Sequence, residues 1–449
     1  MTENIHLLEK EHSFKHDDTS GPPLFNANDD SELEARGTSS IRNIITFFLL
    51  GLMVFTVLYL GMTAAQDILT ETAIPTSSLL LTTAGPFFVA TLMTPLVIPH
   101  VGPTLRITLV FVLMTSGIVL TSLGGKVMFK LIGVSLVSLG CGVAETSFLG
   151  MTALYEAATL SAYSGGTGAG FAIGPLYYTA MTTWACVSPQ TTILTITALP
   201  LLILLIYVFL ITQDLQGPFT LTKTLSYKRI THSASAPPTT LTWTEKLHVN
   251  RRALPITTVL VIGVICEYLA LQAVVTTIAF ENSPFTPRDH YEFYFFMFAA
   301  GELLGRGYAI VMHCLDTGCV YLTKHTWVFT LMLAANLAFL ISVSWYRFLP
   351  SAWVIFLVLL EHGISAGALY VNTFSKAGTS EEDLQKQQFS RAFTTLGCGL
   401  GLLAAGSIGL AIEPRLRSHC VAMASTHKQA AFCFTRRMEG WNSTVHCRW

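Results

Sequence analysis

Charge is what this chain has least of. Only 12% of its 449 residues are Asp, Glu, Lys or Arg, against roughly a quarter in soluble domains. Hydrophobic side chains make up 51%, and mean hydropathy is +0.55. Both values exclude an ordinary soluble globule. The net charge is −1, so no global field draws nucleic acid. Nine cysteines in 449 residues do not make a dense disulfide framework. Cys141, Cys186, Cys266 and Cys398 lie in apolar runs and read as small packing residues. His313, Cys314 and Cys319 lack a second ligand pair at zinc-like spacing, so neither metal nor cofactor is expected. Residues 1–41 have no apolar stretch behind a basic start, which argues against a cleavable signal peptide. They are polar and acidic, the composition of a disordered tail.

Long apolar runs fill the rest. They fall at about 44–64, 77–98, 105–123, 128–154, 166–186 and 191–212, then at about 254–280, 291–313, 326–345, 351–374 and 390–412. Each is long enough to cross a bilayer as a helix, and lipid leaves the backbone no other partner than itself. The expected architecture is an all-α polytopic bundle of about eleven helices in two halves, 42–212 and 254–412. Between them, 213–253 carries Lys223, Lys228, Arg229, Lys246, Arg251 and Arg252 against only Asp214 and Glu245. That excess predicts a cytosolic linker, and six preceding spans put the N-terminal tail on the same side. Lys126 and Lys130 dissent mildly. For the tail 413–449 two signals disagree. An odd span count puts it in the lumen, where Asn442 of the Asn-Ser-Thr triplet could be glycosylated. Arg415 and Arg417, just past the last run, argue for the cytosol.

Ionisable groups inside spans are costly and so mark candidate sites. Glu145 lies deep in the fourth span and could exchange a proton during transport; a protonated, hydrogen-bonded helix contact is the structural alternative. The same holds for Glu267 in the seventh span, followed by Tyr268. If the halves are related by symmetry, the two acids could meet at a central cavity. Arg306 in the eighth span offers a fork suited to phosphate or carboxylate, but Glu302 stands four residues earlier and could neutralise it. Glu361 and His362 share the tenth span, where His362 could relay protons or serve as a helix contact. Ser164-Gly165-Gly166-Thr167-Gly168-Ala169-Gly170 has neither a preceding strand nor a P-loop Lys. It reads as close helix packing, or as a helix start with Thr167 facing an anion. Asn372 and Thr373 could bind a polyol or cap their helix. Glu3, Leu7 and Leu8 fit an acidic dileucine read by sorting adaptors.

Several stretches are similar in order and spacing to the battenin family. They are Ala64-Ala65-Gln66-Asp67-Ile68-Leu69, Glu145-Thr146-Ser147-Phe148-Leu149 leading into Thr152-Ala153-Leu154-Tyr155, the small-residue run from Ser164, Ser188-Pro189-Gln190, Phe348-Leu349-Pro350-Ser351 and Tyr370-Val371-Asn372-Thr373-Phe374. Glu267-Tyr268 and Arg306 also match family positions. The resemblance implies a major-facilitator-like fold in lysosomal or vacuolar membranes. It also implies a role in clearing glycerophosphodiesters, with basic amino acid homeostasis in fungal relatives. The chain departs from the family at Val54-Phe55, at His362 and at Glu302. The expected function is export of a small polar, glycerophosphodiester-like metabolite by alternating access, with possible proton coupling and no enzymatic chemistry. The alternative is a non-transporting scaffold or regulator that recruits partners through its tail and linker.

Overall fold

The computed structural model describes residues 27–69, 72, 74–97, 101–155, 157–214, 241–284, 286–314, 323, 325–424, 427–435 and 441. Glu3, Leu7, Leu8 and Asn442 lie outside them, as do linker residues 215–240. Among the described residues there is no strand, and ten helical stretches are long and apolar enough to cross a membrane.

In chain order the long helices are α1 (Ala27–Thr63), α2 (Thr76–Val97), α3 (Pro103–Leu123), α4 (Val127–Met151) and α5 (Ala157–Thr179). After a short helix, Pro189–Thr195, come α6 (Ala198–Asp214), α7 (Trp243–Leu269), α8 (Pro287–Cys314), α9 (Trp327–Tyr346), α10 (Trp353–Thr379) and α11 (Leu384–Met423). α5 is the membrane-length helix outside the apolar ten, because the run 164–170 in its middle lowers its hydropathy.

Polarity is inverted relative to a soluble protein. Leu105, Leu109 and Val112 on α3 and Leu201 and Leu205 on α6 face outward. Glu145, Thr146, Thr167, Glu267, Glu302 and Arg306 are buried. Facing lipid costs an apolar side chain nothing, so polar groups collect where helices meet.

Four boundaries differ from those expected. α1 begins at Ala27 rather than near 44, so residues 27–41, expected to belong to a disordered tail, are helical. α7 begins at Trp243 rather than near 254, because Thr242 and Glu245 form a reciprocal capping box. α11 has 40 residues, about 60 Å at 1.5 Å per residue. Arg415 and Arg417 therefore lie inside this helix, and Arg417 stacks on Phe434 at 3.8 Å. α5 begins at Ala157, so Thr167 sits mid-helix and offers no free N–H groups to an anion. Asn372 and Thr373 likewise precede the end of α10 at Thr379 and do not cap it.

Residues 42–449 form one compact unit. Its two halves, α1–α6 and α7–α11, meet most extensively along α5 with α8 and α2 with α11. Small residues allow the approach within and between halves. A methyl on Gly166 of α5 would run into the Phe48 carbonyl of α1, and one on Gly168 would come within 2.9 Å of Cβ of Arg306.

Contacts define two ends. At the tail end, Gln66 donates to Thr435, Thr435 to the Thr276 carbonyl, and Arg347 to the carbonyls of Thr277 and Ala279. Cys420 and Cys433 are joined in a disulfide there, and Cys186 is also disulfide-bonded. Lys130 lies 3.6 Å from the centre of the Trp441 ring. At the linker end, Arg391 donates to Thr152, and Arg252 and Lys386 pair with Glu381 and Glu245.

Candidate substrate cavity

Between the halves lies a small cavity of about 30 Å³. α1, α2 and α4 contribute Phe55, Leu58, Phe87 and Glu145, while α7, α8, α10 and α11 contribute Glu267, Tyr268, Arg306, Tyr370 and Cys398. Glu145 and Glu267, from opposite halves, thus line one space. A second cavity, also about 30 Å³, between α1 and its neighbours in the first half, is lined by aliphatic side chains and threonines and holds no ionisable group.

Glu145 is 2% exposed, and its Oε1 accepts from the Tyr370 hydroxyl at 2.8 Å across the two halves. One residue on, the hydroxyls of Thr146 and Thr395 meet at 3.1 Å, again across the halves. Glu267 is 4% exposed, and its Oε1 has no hydrogen-bond partner among the described residues. Tyr268 beside it hydrogen-bonds the Tyr59 hydroxyl of α1. A π-helical turn, Ala270–Val274, follows at once; such turns recur at functional sites.

Arg306 is held on every side. Its Nε donates to Oε2 of Glu302 at 2.5 Å and its Nη1 to Thr167 of α5 at 3.0 Å. Its guanidinium lies over the rings of Tyr370 at 3.7 Å, Phe171 at 4.4 Å and Phe55 at 5.4 Å. Stacking on ring faces suits a delocalised cation that has left water. The local pair with Glu302 is therefore formed here, and it cancels the charge that would otherwise draw an anion. Oε1 of Glu302 is buried without a hydrogen-bond partner among the described residues.

Other candidates lie elsewhere. His362 is fully buried against Phe298, ring centroids 6.0 Å apart, and against the backbone of Glu267, but it does not line the cavity. Glu361 turns to α9, accepting from Asn336 and, at 2.6 Å, from Ser365. Asn372 accepts from the Thr323 amide at 2.6 Å and donates to the Tyr308 hydroxyl at 2.7 Å, so its amide is occupied at the linker end. Thr373 is buried, its hydroxyl without a hydrogen-bond partner among the described residues. No group of three or more potential metal ligands occurs among the described residues.

The candidates that ionisability alone does not flag are the aromatics. Tyr370 touches both Glu145 and Arg306, and Tyr59 packs at a tilt against Phe171 with centroids 3.4 Å apart. A neutral tyrosine in an apolar run carries no cost that would mark it. The available signal was its place at the head of Tyr370-Val371-Asn372-Thr373-Phe374.

Among known proteins, the chain is 29% identical over 349 residues to the dog protein battenin, covering 76% of this chain and 77% of that protein. It is 28% identical over 386 residues to protein BTN1 of Yarrowia lipolytica, covering 82% and 93%. With protein BTN1 of Saccharomyces cerevisiae the identity is 26% over 414 residues, covering 84% and 95%. Among solved structures, a bacterial homolog of the human lysosomal transporter Spinster, inward-facing and unoccupied, superposes with a TM-score of 0.52. At 13% identity over 86% of this chain and 84% of that one, it shows the fold alone, a major-facilitator-like transporter layout. The family model described as CLN3 protein matches residues 45–419, most of the chain, and the chain belongs to that family.

Proposed function

We propose that this chain is a carrier in an endolysosomal or vacuolar membrane that exports a small polar, glycerophosphodiester-like metabolite by alternating access. The observation that carries this reading is the cavity at the junction of the halves, lined by Glu145 from one and by Glu267 and Arg306 from the other. A scaffold has no need to hold such groups in lipid, where each is costly. Glu145 and Glu267 serve as the proton carriers. Arg306, compensated by Glu302, orients a polar head group by stacking and hydrogen bonding rather than as a free charge.

Two independent features support this reading's sidedness. Disulfides form in oxidising compartments, so the tail end with Cys420–Cys433 faces the lumen. The Lys- and Arg-rich linker end faces the cytosol, and with it the N-terminus and its dileucine for sorting adaptors. Asn442 then falls on the glycosylated side.

The test is untargeted metabolite profiling of purified lysosomes from cells with and without the chain. Glycerophosphodiesters accumulate in its absence, and Glu267→Gln fails to clear them at matched expression. Unchanged lysosomal contents would overturn the exporter reading and leave the scaffold.

A further inference from the structure

Past α11 the described residues return across the bundle. α11 runs to Met423, the Cys420–Cys433 disulfide folds the following segment back, and a short helix, His427–Ala431, lies within that loop. Thr435 then donates from both its amide and its hydroxyl to the Thr276 carbonyl, each at 3.1 Å, and accepts from Nε2 of Gln66 at 2.6 Å. Trp441 takes the Lys130 ammonium over its ring at 3.6 Å, and its carbonyl accepts from the Gln190 amide at 3.5 Å. Cys433, Thr435 and Trp441 are 2%, 0% and 7% exposed, so these three residues are packed.

The anchors divide between the halves. Cys420 and Thr276 belong to the second half, whereas Gln66, Lys130 and Gln190 belong to the first. We propose that Cys433, Thr435 and Trp441 together act as a strap that holds the tail end of the two halves closed, and that release of their contacts accompanies opening of the cavity toward that end. The inference rests on the alternating-access reading, in which the halves must part at each end in turn. Parting at the tail end would pull Gln66, Lys130 and Gln190 away from Thr435 and Trp441. The family match ends at residue 419, one residue before Cys420. The strap is therefore an addition to the matched core.

A native reporter sits inside. Cys398 is a free thiol lining the cavity, whereas Cys141 is a free thiol buried outside its lining. The full chain in lipid nanodiscs is exposed to a maleimide, and adduct formation at each cysteine is followed by peptide mass spectrometry. Trp441→Ala, Thr435→Val and Cys433→Ser each speed labelling of Cys398 at least severalfold and leave Cys141 unlabelled. Unchanged Cys398 labelling in Trp441→Ala and Thr435→Val overturns the strap. Equal acceleration at Cys141 means general loosening and overturns it too. Should Cys433→Ser misfold, the other two substitutions leave the disulfide intact and decide the matter. Labelling needs no substrate, so it can succeed where transport fails, and transport can be found where labelling is unchanged.

Discussion

Glu302 and Arg306 face one another one turn apart on α8, oxygen to nitrogen 2.5 Å, with side chains 0% and 5% exposed. Removing one partner of a buried pair leaves an uncompensated charge, at a cost of about 3–5 kcal/mol, whereas replacing both by apolar residues is often near neutral. Glu302→Leu and Arg306→Met should each lower the thermal transition of the purified protein, and the double substitution should recover most of the loss. Singles as stable as the unmodified chain would mean that the pair is not what neutralises Arg306.

Glu145 and Tyr370 join the halves through one hydrogen bond of 2.8 Å. Glu145→Gln keeps an acceptor for the tyrosine but cannot exchange a proton. Its stability should stay within about 1 kcal/mol of the starting protein, the net worth of an ordinary hydrogen bond. Lysosomal metabolites should nevertheless build up as they do without the chain. Tyr370→Phe, which keeps the ring under Arg306, should clear them in part; Tyr370→Leu, which bares the guanidinium, should not. Full clearance by Glu145→Gln would remove the proton role.

Much of this was legible beforehand because lipid makes the rules strict. A span must be helical, so apolar runs alone gave the bundle. A charge in a span must find a partner, so Glu145, Glu267 and Arg306 stood out, and i, i+4 spacing offered Glu302 as a partner for Arg306 beside the anion-binding reading. What stayed hidden depends on distant chain segments. Nothing near Tyr370 in sequence shows that its hydroxyl meets Glu145, 225 residues away. The length of α11 was obscured because Glu413, Arg415 and Arg417 interrupt its hydropathy, while its helix continues to Met423. The cavity position of Glu267 and the off-cavity position of Glu361 depend on which face each helix turns inward, and apolar runs do not record that.

Gly166 and Gly307 separate close packing from open surface. A Cβ on Gly166 has no room beside the Phe48 carbonyl, whereas one on Gly307 meets nothing within 4 Å. Overpacking costs about 1–3 kcal/mol when neighbours must move, and here the neighbour is backbone. Gly166→Ala should therefore reduce folded yield and thermal stability. Gly307→Ala, in an open helical position, should be neutral or stabilising by up to about 1 kcal/mol. Parallel melting curves of the two variants decide this, and equal tolerance would contradict the tight α1–α5 contact.

Glu413 of α11 reaches across to the first half and caps the start of α2. It accepts from the Thr76 amide at 3.0 Å, the Ser77 amide at 2.9 Å and the Ser77 hydroxyl at 2.6 Å. A carboxylate at a helix N-terminus satisfies orphan N–H groups and lies at the positive end of the helix dipole. Because the two helices belong to different halves, this cap is also a clasp at the tail end. Glu413→Ala strands two buried amides, each costing about 1–3 kcal/mol, and should weaken the folded protein by several kcal/mol. Glu413→Gln keeps an oxygen acceptor but loses the charge, and should cost less than half as much. If the clasp also resists opening, Glu413→Gln should speed maleimide labelling of Cys398 while the protein remains folded. A Glu413→Gln protein that labels no faster would make Glu413 a cap alone, with closure of that end left to other contacts.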